Sequence, residues 1–129
     1  MIWGLAKQGN AIIVGRGANW FLDPCFGLRV RVVAPFEIRT ERIVEREKLS
    51  CENAEMRIRE NDERQSNYVR KVFGRDIDDP LGYDLMVNTG SLDEESAARA
   101  VVAALLRQVP TAAKACSSGL EPGTSEVVT

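Results

Sequence analysis

Histidine is absent from the 129-residue sequence, and this absence excludes several kinds of site at once. Without an imidazole the chain has no Ser-His or Cys-His catalytic pair and no histidine-ligated metal. Cysteine is scarce, because Cys25, Cys51 and Cys116 are widely spaced and form no C-x-x-C pair. That spacing argues against a zinc site or a redox pair.

Strong net charge and long apolar runs are also missing. The formal net charge is −2, so no overall field draws the protein to nucleic acid or to an anionic membrane. No run approaches the roughly 18 apolar residues of a membrane span, and Met1 is not followed by a basic-then-apolar signal pattern. We therefore predict a cytoplasmic protein with no nucleic-acid partner and no membrane association.

Two nucleotide-binding motifs are absent as well. No glycine is followed by lysine, so the P-loop pattern G-x-x-x-x-G-K-[ST] does not occur in these residues. Gly15-x-Gly17 is not the dinucleotide fingerprint, since Trp20 stands where the third glycine belongs. The acidic run 76–79 lacks the glycine and the distal glutamate of a calcium loop, which favours a plain acidic turn.

The most informative stretch that is present runs from Gly9 to Asn19. Ala11–Val14 is a short apolar run rich in β-branched residues, which predicts a strand buried on both faces in a parallel sheet. Gly15 then permits a sharp turn that delivers Arg16 to the rim where the strand ends. Ligands of open parallel sheets bind at that rim. Arg16 is therefore a candidate for phosphate or carboxylate binding, with an ordinary surface arginine as the alternative.

The rest of the chain alternates strands and helices. Such alternation predicts an α/β layer with a parallel sheet of about three strands. We place strands at 11–15, 28–34 and 83–88, helices at 2–8, 35–49, 51–72 and from Asp93 through Leu106, and a disordered tail at 109–129.

The helix at 51–72 loses its apolar stripe in the middle. Ser50 is the predicted N-cap, and Asn61, Asp62 and Gln65 stand where inward-facing apolar residues would continue the stripe. A polar gap of two turns is what a helix needs when it covers a polar ligand. The alternative is a helix that stands in solvent with a weak seam.

Arginines are the remaining chemical signal. Arg39 and Arg42 share one helical face, and Arg57 and Arg64 lie seven residues apart on the next helix. Guanidinium groups gathered near strand ends suit a phosphorylated substrate or a transferring phosphoryl group. Glu-Arg pairs at i and i+4 on the same helix fit a solvated surface equally well, so spacing alone leaves both interpretations open.

Four ordered stretches of the sequence resemble the cytidylate kinase-like family of P-loop nucleoside monophosphate kinases. They are AIIVGRGAN at 11–19, APFEIRTER at 34–42, NDERQSNY at 61–68 and YDLMVNT at 83–89. The resemblance implies an incomplete three-layer P-loop NTPase-type fold over residues 1–108, with a helical lid. It also implies phosphoryl transfer from ATP, with Mg²⁺, to a nucleoside monophosphate.

The resemblance further implies roles for individual residues. It gives catalytic roles to Arg39, Arg42 and Arg64, substrate binding to Arg16, Asp62 and Tyr68, and the border of the donor-base pocket to Asn88 and Thr89.

The family pattern begins with a strand and a P-loop that these residues do not contain. We therefore expect a truncated domain that is inactive alone, binds ATP and Mg²⁺ weakly, and self-associates through an open sheet edge. The alternative is a non-catalytic module that binds a nucleotide or a protein partner with the same arginines.

Overall fold

The computed structural model of the chain describes residues 2–15, 17–107 and 127–128. Its helices are α1 (Ile2–Gln8), α2 (Ala18–Phe21), α3 (Phe36–Glu47), α4 (Cys51–Phe73) and α5 (Glu94–Leu106), and its strands are β1 (Ile12–Ile13), β2 (Leu28–Val33), β3 (Leu85–Asn88) and β4 (Val127–Val128). Two short 3-10 turns, Pro24–Phe26 and Pro80–Gly82, precede β2 and β3.

The strands form one parallel sheet in the order β1-β4-β2-β3. This arrangement of helices around a small parallel sheet confirms the predicted α/β class. The sheet has four strands rather than about three, because Val127–Val128 pairs on one side with Ile12–Ile13 and on the other with Leu28–Arg29. Except for those two residues, the tail predicted at 109–129 lies outside the described residues, and the boundary at residue 108 stays a prediction.

The predicted burial of β1 on both faces is wrong. Ile13 is 9% exposed and packs in a cluster with Ala6, Ala18, Leu22 and Phe26, contributed by α1, α2 and the turn before β2. On the opposite face Ile12 and Val14 are 73% and 74% exposed. An apolar run shows that a strand can be buried, but it does not show which segments are present to cover each face.

A second apolar cluster lies where α5 covers the other strands. Leu28 and Val30 of β2 and Val87 of β3 pack against Ala97 of α5. β2 lies between β4 and β3 in the sheet, and Val30 is fully buried within this cluster. This cluster holds β2 rigid, and the next elements of the chain extend from its carboxyl end.

Helices α3 and α4 form an antiparallel pair that begins just after β2. Lys48, with a positive φ of 55°, ends α3, and the Ser50 side chain then caps α4 by accepting a hydrogen bond from the Asn53 amide at 3.3 Å. That cap confirms the predicted start of α4. Ile58, 4% exposed, anchors α4. No described helix is long and apolar enough to cross a lipid bilayer.

Candidate functional site

Three adjoining cavities run along the α3–α4 pair and the carboxyl half of β2, and together they form the cleft. The helix cavity, between α3 and α4, has a volume of about 520 Å³, the middle cavity about 560 Å³ and the strand-end cavity about 690 Å³. Arg39 lines both the helix and middle cavities, Arg31 both the middle and strand-end cavities, and Arg64 both the helix and strand-end cavities. The cleft thus lies where ligands of open parallel sheets bind.

The helix cavity concentrates positive charge. Its lining includes two glutamates, Glu47 and Glu60, and five arginines: Arg39, Arg42, Arg46, Arg57 and Arg64. One of the glutamates is neutralised locally, because Glu47 Oε2 lies 2.6 Å from Arg57 Nη1. The excess of guanidinium groups makes this part of the cleft suited to anions such as phosphate.

Arg39 is held in place by Asp62. Arg39 Nη1 and Nη2 donate to Asp62 Oδ2 and Oδ1 at 2.8 and 2.6 Å, a bidentate pair that joins α3 to α4. These side-chain hydrogen bonds raise the pKa of Arg39 above its ordinary value, while partial burial opposes the rise. The pair therefore fixes the direction of the planar guanidinium of Arg39.

Arg42 is held by the turn that follows β3. Its Nη1 donates to Thr89 Oγ1 at 2.9 Å and its Nη2 donates to the Thr89 carbonyl oxygen at 2.7 Å. Thr89 is fixed in turn, because its amide donates to the Val33 carbonyl oxygen at 2.9 Å. The start of the helix pair is therefore tied to the carboxyl ends of β2 and β3.

Arg64 and Tyr68 belong to successive turns of α4. Arg64 Nη2 donates to Asn61 Oδ1 at 2.6 Å, which keeps the guanidinium near the helix that carries it. Tyr68 is 44% exposed and lies edge-on to Phe73, with ring centroids 6.1 Å apart. Asn61 and Gln65, two residues of the polar gap, line the cavities, so the gap faces the cleft.

The strand-end cavity is the most apolar part of the cleft. Its walls combine aliphatic and aromatic side chains with a few polar groups: Val14, Val30, Val32, Val69, Tyr68, Ile77 and Tyr83, with Asn19, Arg31, Arg64 and Gln65. A volume of about 690 Å³ lies within the range of pockets that bind small molecules. Apolar walls with few polar groups are suited to a flat heterocycle that is recognised at its edge.

The structure brings most of the sequence-predicted residues to this cleft. Arg39, Arg42, Arg64, Asp62 and Tyr68 line it. Their chemical roles remain predictions.

Of the other three predicted residues, Asn88 and Thr89 line none of the three cavities. Thr89 reaches the cleft through Arg42, whereas Asn88 Oδ1 accepts a hydrogen bond from the Gly90 amide at 2.9 Å and stabilises the turn. Arg16 lies outside the described residues. The predicted donor-base role of Asn88 and Thr89 also remains a prediction.

Sequence reasoning missed Arg31 and Tyr83. Arg31 lies on β2 in an alternating stretch with Arg29, and the alternation alone indicates that the two arginines share one face of the sheet. It does not indicate that Arg31 borders a cavity while Arg29 pairs with Asp84. Tyr83 is partly buried, and this burial raises the pKa of its phenol, with the positive charge of Arg31 opposing the rise.

Residues 2–15, 17–107 and 127–128 contain no group of three or more acidic or cysteine side chains placed to hold a metal ion.

Comparison with known proteins identifies relatives of the chain. The sequence model of the cytidylate kinase-like family matches residues 1–91. The cytidylate kinase of Pyrococcus horikoshii is 36% identical over 100 residues, which are 78% of this chain and 52% of that protein. The cytidylate kinase of Thermococcus sibiricus is 32% identical over 118 residues, which are 92% of this chain and 60% of that protein. No solved structure matches the chain significantly.

This chain spans about half the length of the curated relatives it matches, 52% for the first protein and 60% for the second. The family match covers residues 1–91, which include β1, the α3–α4 pair, β3 and every described side chain of the cleft. The chain belongs to the cytidylate kinase-like family.

Proposed function

We propose that this protein takes part in phosphoryl transfer from ATP to a nucleoside monophosphate, and that this chain supplies a cleft for the acceptor and for the phosphates. The observation that carries the proposal is the helix cavity, which five arginines line beside a largely apolar cavity of about 690 Å³. Membership of the cytidylate kinase-like family supports the same chemistry.

The arginines of the helix cavity would act on the charge of the transferring phosphoryl group. Arg39, Arg42 and Arg64 present donors to one cavity, and the first two are already oriented by Asp62 and Thr89. Donors oriented before the substrate arrives stabilise developing charge with little reorganisation. Asp62 orients Arg39, and Tyr68 provides an aromatic wall for the acceptor.

Two roles come from the family resemblance alone. In this proposal Arg16 binds the acceptor monophosphate, and Asn88 and Thr89 border the base of ATP. The metal would accompany ATP, supplying charge neutralisation between its phosphates. No step of the proposal depends on a metal held by this chain.

The 129 residues contain no Walker A pattern, and the backbone cradle of that loop is a main source of phosphate positioning in such enzymes. We therefore propose that the chain alone binds an acceptor nucleotide and turns over little. A coupled kinase assay on residues 1–129 with ATP, CMP and Mg²⁺ is expected to stay at the background rate. Clear magnesium-dependent turnover would contradict this part of the proposal.

Calorimetry tests the binding step. We expect the chain to bind CMP or UMP, and Arg64→Gln to weaken the binding by about tenfold or more, because a charged hydrogen bond contributes about 1.5–3 kcal/mol. Arg70→Gln is the matched control, since Arg70 lies on the same helix, is exposed and lines none of the three cavities. Equal affinity in both variants, or no nucleotide binding by the folded chain, would overturn the proposal.

A non-catalytic nucleotide- or partner-binding module is the second candidate. It is favoured by one observation: the arginines line the helix cavity, but no Walker A pattern occurs in the sequence. The DNA upstream of the Met1 codon separates the two candidates. An in-frame G-x-x-x-x-G-K-[ST] favours the kinase, and its absence together with micromolar binding favours the binding module.

A further inference from the structure

The five arginines of the helix cavity differ in the kind of group that holds them. Three of them form ion pairs with carboxylates: Arg39, Arg46 and Arg57. The other two donate to neutral oxygens, Arg42 to Thr89 and Arg64 to Asn61. A carboxylate offsets the positive charge of a guanidinium, whereas a neutral oxygen orients the guanidinium without offsetting its charge. In the described part of the chain, Arg42 and Arg64 therefore bring charge to this cavity without a carboxylate partner.

Arg64 has a glutamate at a suitable spacing on its own helix but does not pair with it. Glu60 lies four residues before Arg64 on α4, a spacing that allows an ion pair, and both side chains line the helix cavity. The same spacing does give an ion pair earlier on the helix, where Arg59 Nη2 lies 3.9 Å from Glu55 Oε2. Within the described residues Arg64 forms no ion pair with Glu60, and its Nη2 instead donates to Asn61 Oδ1 at 2.6 Å. The amide of Asn61 thus holds the guanidinium in place of the carboxylate of Glu60.

The place of Arg64 in the cleft makes this choice of partner important. Of the five arginines of the helix cavity, Arg64 is the one that also lines the strand-end cavity, so it lies where the two cavities adjoin. Its hydrogen bond to Asn61 uses one N–H of a group that has five, and the others can donate to a phosphate group. Pairing with Glu60 would instead make an anionic ligand compete with a carboxylate for the same guanidinium.

We propose that Asn61 is a positioning residue, whose amide oxygen orients Arg64 at the junction of the two cavities and holds it away from Glu60. This inference rests on the proposed function of the cleft. It adds a neutral side chain that acts on a bound phosphate through Arg64 and does not itself contact the ligand. Asn61 also belongs to the polar gap in the apolar stripe of α4, so the proposal gives this part of the gap a role.

Three substitutions on α4 separate this role from a general effect on the helix. Asn61→Ala removes the amide and leaves Glu60 free to pair with Arg64, and α4 should still form because alanine has the highest helix propensity. Asn67→Ala is the matched control, since Asn67 lies on the same helix, is exposed and lines none of the three cavities. Glu60→Gln removes the competing carboxylate, and it is made both alone and together with Asn61→Ala.

Calorimetry on the full 129-residue chain with CMP and with inorganic phosphate measures the effect. We expect Asn61→Ala to weaken the binding of both probes roughly 2- to 10-fold, the range for the loss of one neutral hydrogen bond. Asn67→Ala should leave both affinities nearly unchanged. Native affinity in the Asn61→Ala chain overturns the proposal. A loss for CMP without a loss for inorganic phosphate also overturns it, since Asn61 would then act on another part of the nucleotide.

Rescue by Glu60→Gln distinguishes positioning from a merely structural role. The substitution changes the charge of the cavity equally in the native and the Asn61→Ala chains, so a general electrostatic gain cancels when the two are compared. We expect the gain in CMP affinity to be about two- to fivefold larger in the Asn61→Ala chain, the range for an exposed ion pair that is removed. An equal gain in both chains overturns the proposal. Failure of the folded native chain to bind either probe would overturn the proposed function as well.

Discussion

At the scale of single residues, the ion pair of Arg39 leaves part of its guanidinium available to a ligand. A guanidinium has five N–H donors, and the Arg39 side chain uses one on each Nη for Asp62. Arg42 likewise uses one donor on each Nη for Thr89. The existing contacts therefore orient both guanidinium groups without using all their N–H donors. An anion in the helix cavity can accept hydrogen bonds from the remaining N–H groups.

The pair of Arg29 and Asp84 illustrates a residue contact that gives stability rather than recognition. The Asp84 carboxylate accepts hydrogen bonds from the Arg29 amide at 2.8 Å and from Arg29 Nη2 at 2.9 Å, next to the start of β2 and β3. Burial is the largest single influence and raises the pKa of Asp84, but the hydrogen bonds and charge of Arg29 together lower the pKa below its ordinary value of 3.8.

This lowered pKa predicts the direction of a pH effect. The pKa of Asp84 is lower in the folded chain than in the unfolded chain, so the folded chain keeps the carboxylate ionised to lower pH. The pair therefore stabilises the fold fully above about pH 4. The contribution is lost as the pH falls through the folded pKa. We expect Asp84→Asn to lower the free energy of unfolding by about 1–2 kcal/mol at pH 7, a figure reduced for partial exposure, and by less at pH 3.

Urea unfolding of both proteins at pH 7, 4 and 3 measures this difference. In an Arg29→Met background the effect of Asp84→Asn should be smaller and should vary less with pH, since the partner is gone. An unfolding difference that stays constant between pH 7 and 3 in the native background would contradict the assignment.

At the scale of elements, α4 serves two different contacts along its length. Its first half buries Ala54 and Ile58, and its last turns bury Val69. Between these anchors Asn61, Arg64 and Gln65 line the cleft. The helix thus spans from the α3 contact to the wall of the strand-end cavity, and its polar gap coincides with the part that covers the cavities.

Strand β4 links β1 to the rest of the sheet. In the described residues β1 pairs with β4 and β4 pairs with β2, and the two apolar clusters lie on either side of this connection. One cluster contains Ile13 and the other contains Leu28. Within the sheet, backbone pairing with Val127–Val128 is therefore what connects β1 to β2.

Replacing Val128 by proline tests this dependence. The substitution removes a backbone N–H from the middle of the sheet, and we expect it to lower the free energy of unfolding by about 1–3 kcal/mol, the cost of leaving ladder groups unpaired. Val128→Thr is the control, because it keeps both the N–H and the β-branched shape. Native stability in the proline variant, measured by urea unfolding, would show that β4 does not hold the sheet together.

At the scale of the whole molecule, the described structure leaves an apolar strip at one edge of the sheet. β1 is the outer strand of the order β1-β4-β2-β3, and its residues Ile12 and the neighbouring Val14 are more than 70% exposed. An edge strand with exposed apolar side chains is prone to pair with another chain. This geometry agrees with the expectation of self-association, which remains a prediction.

Sedimentation velocity over a range of concentrations measures that association. We expect the average mass to rise with concentration, and Ile12→Lys to reduce the rise, because a charged edge residue opposes strand pairing. Leu81→Lys is the control, since Leu81 is 83% exposed and lies in the Pro80–Gly82 turn instead of at the edge. A protein that is monomeric at every concentration, or equal behaviour of the two variants, would contradict the prediction.

Local features of the chain could be read from the sequence because they depend on neighbouring residues. Capping groups and apolar spacing predicted the Ser50 cap, the end of α4 within one residue and the bounds of β3 within two residues. The arginine pattern also indicated which helices carry the candidate phosphate-binding groups. The family resemblance extended this to Arg39, Arg42 and Arg64, all of which line the helix cavity.

The tertiary structure alone decided which remote segments meet. Arg39 pairs with Asp62 and Arg42 with Thr89 across 23 and 47 residues of chain, β1 leaves one face open, and β4 inserts between β1 and β2. Arg31 lines two of the cavities, a position that only the assembled sheet and α4 create. Periodicity and capping depend on residues a few positions apart, so the sequence predicted the helices and strands. Burial and side-chain pairing depend on remote segments that folding brings together, so only the tertiary structure decided the cleft.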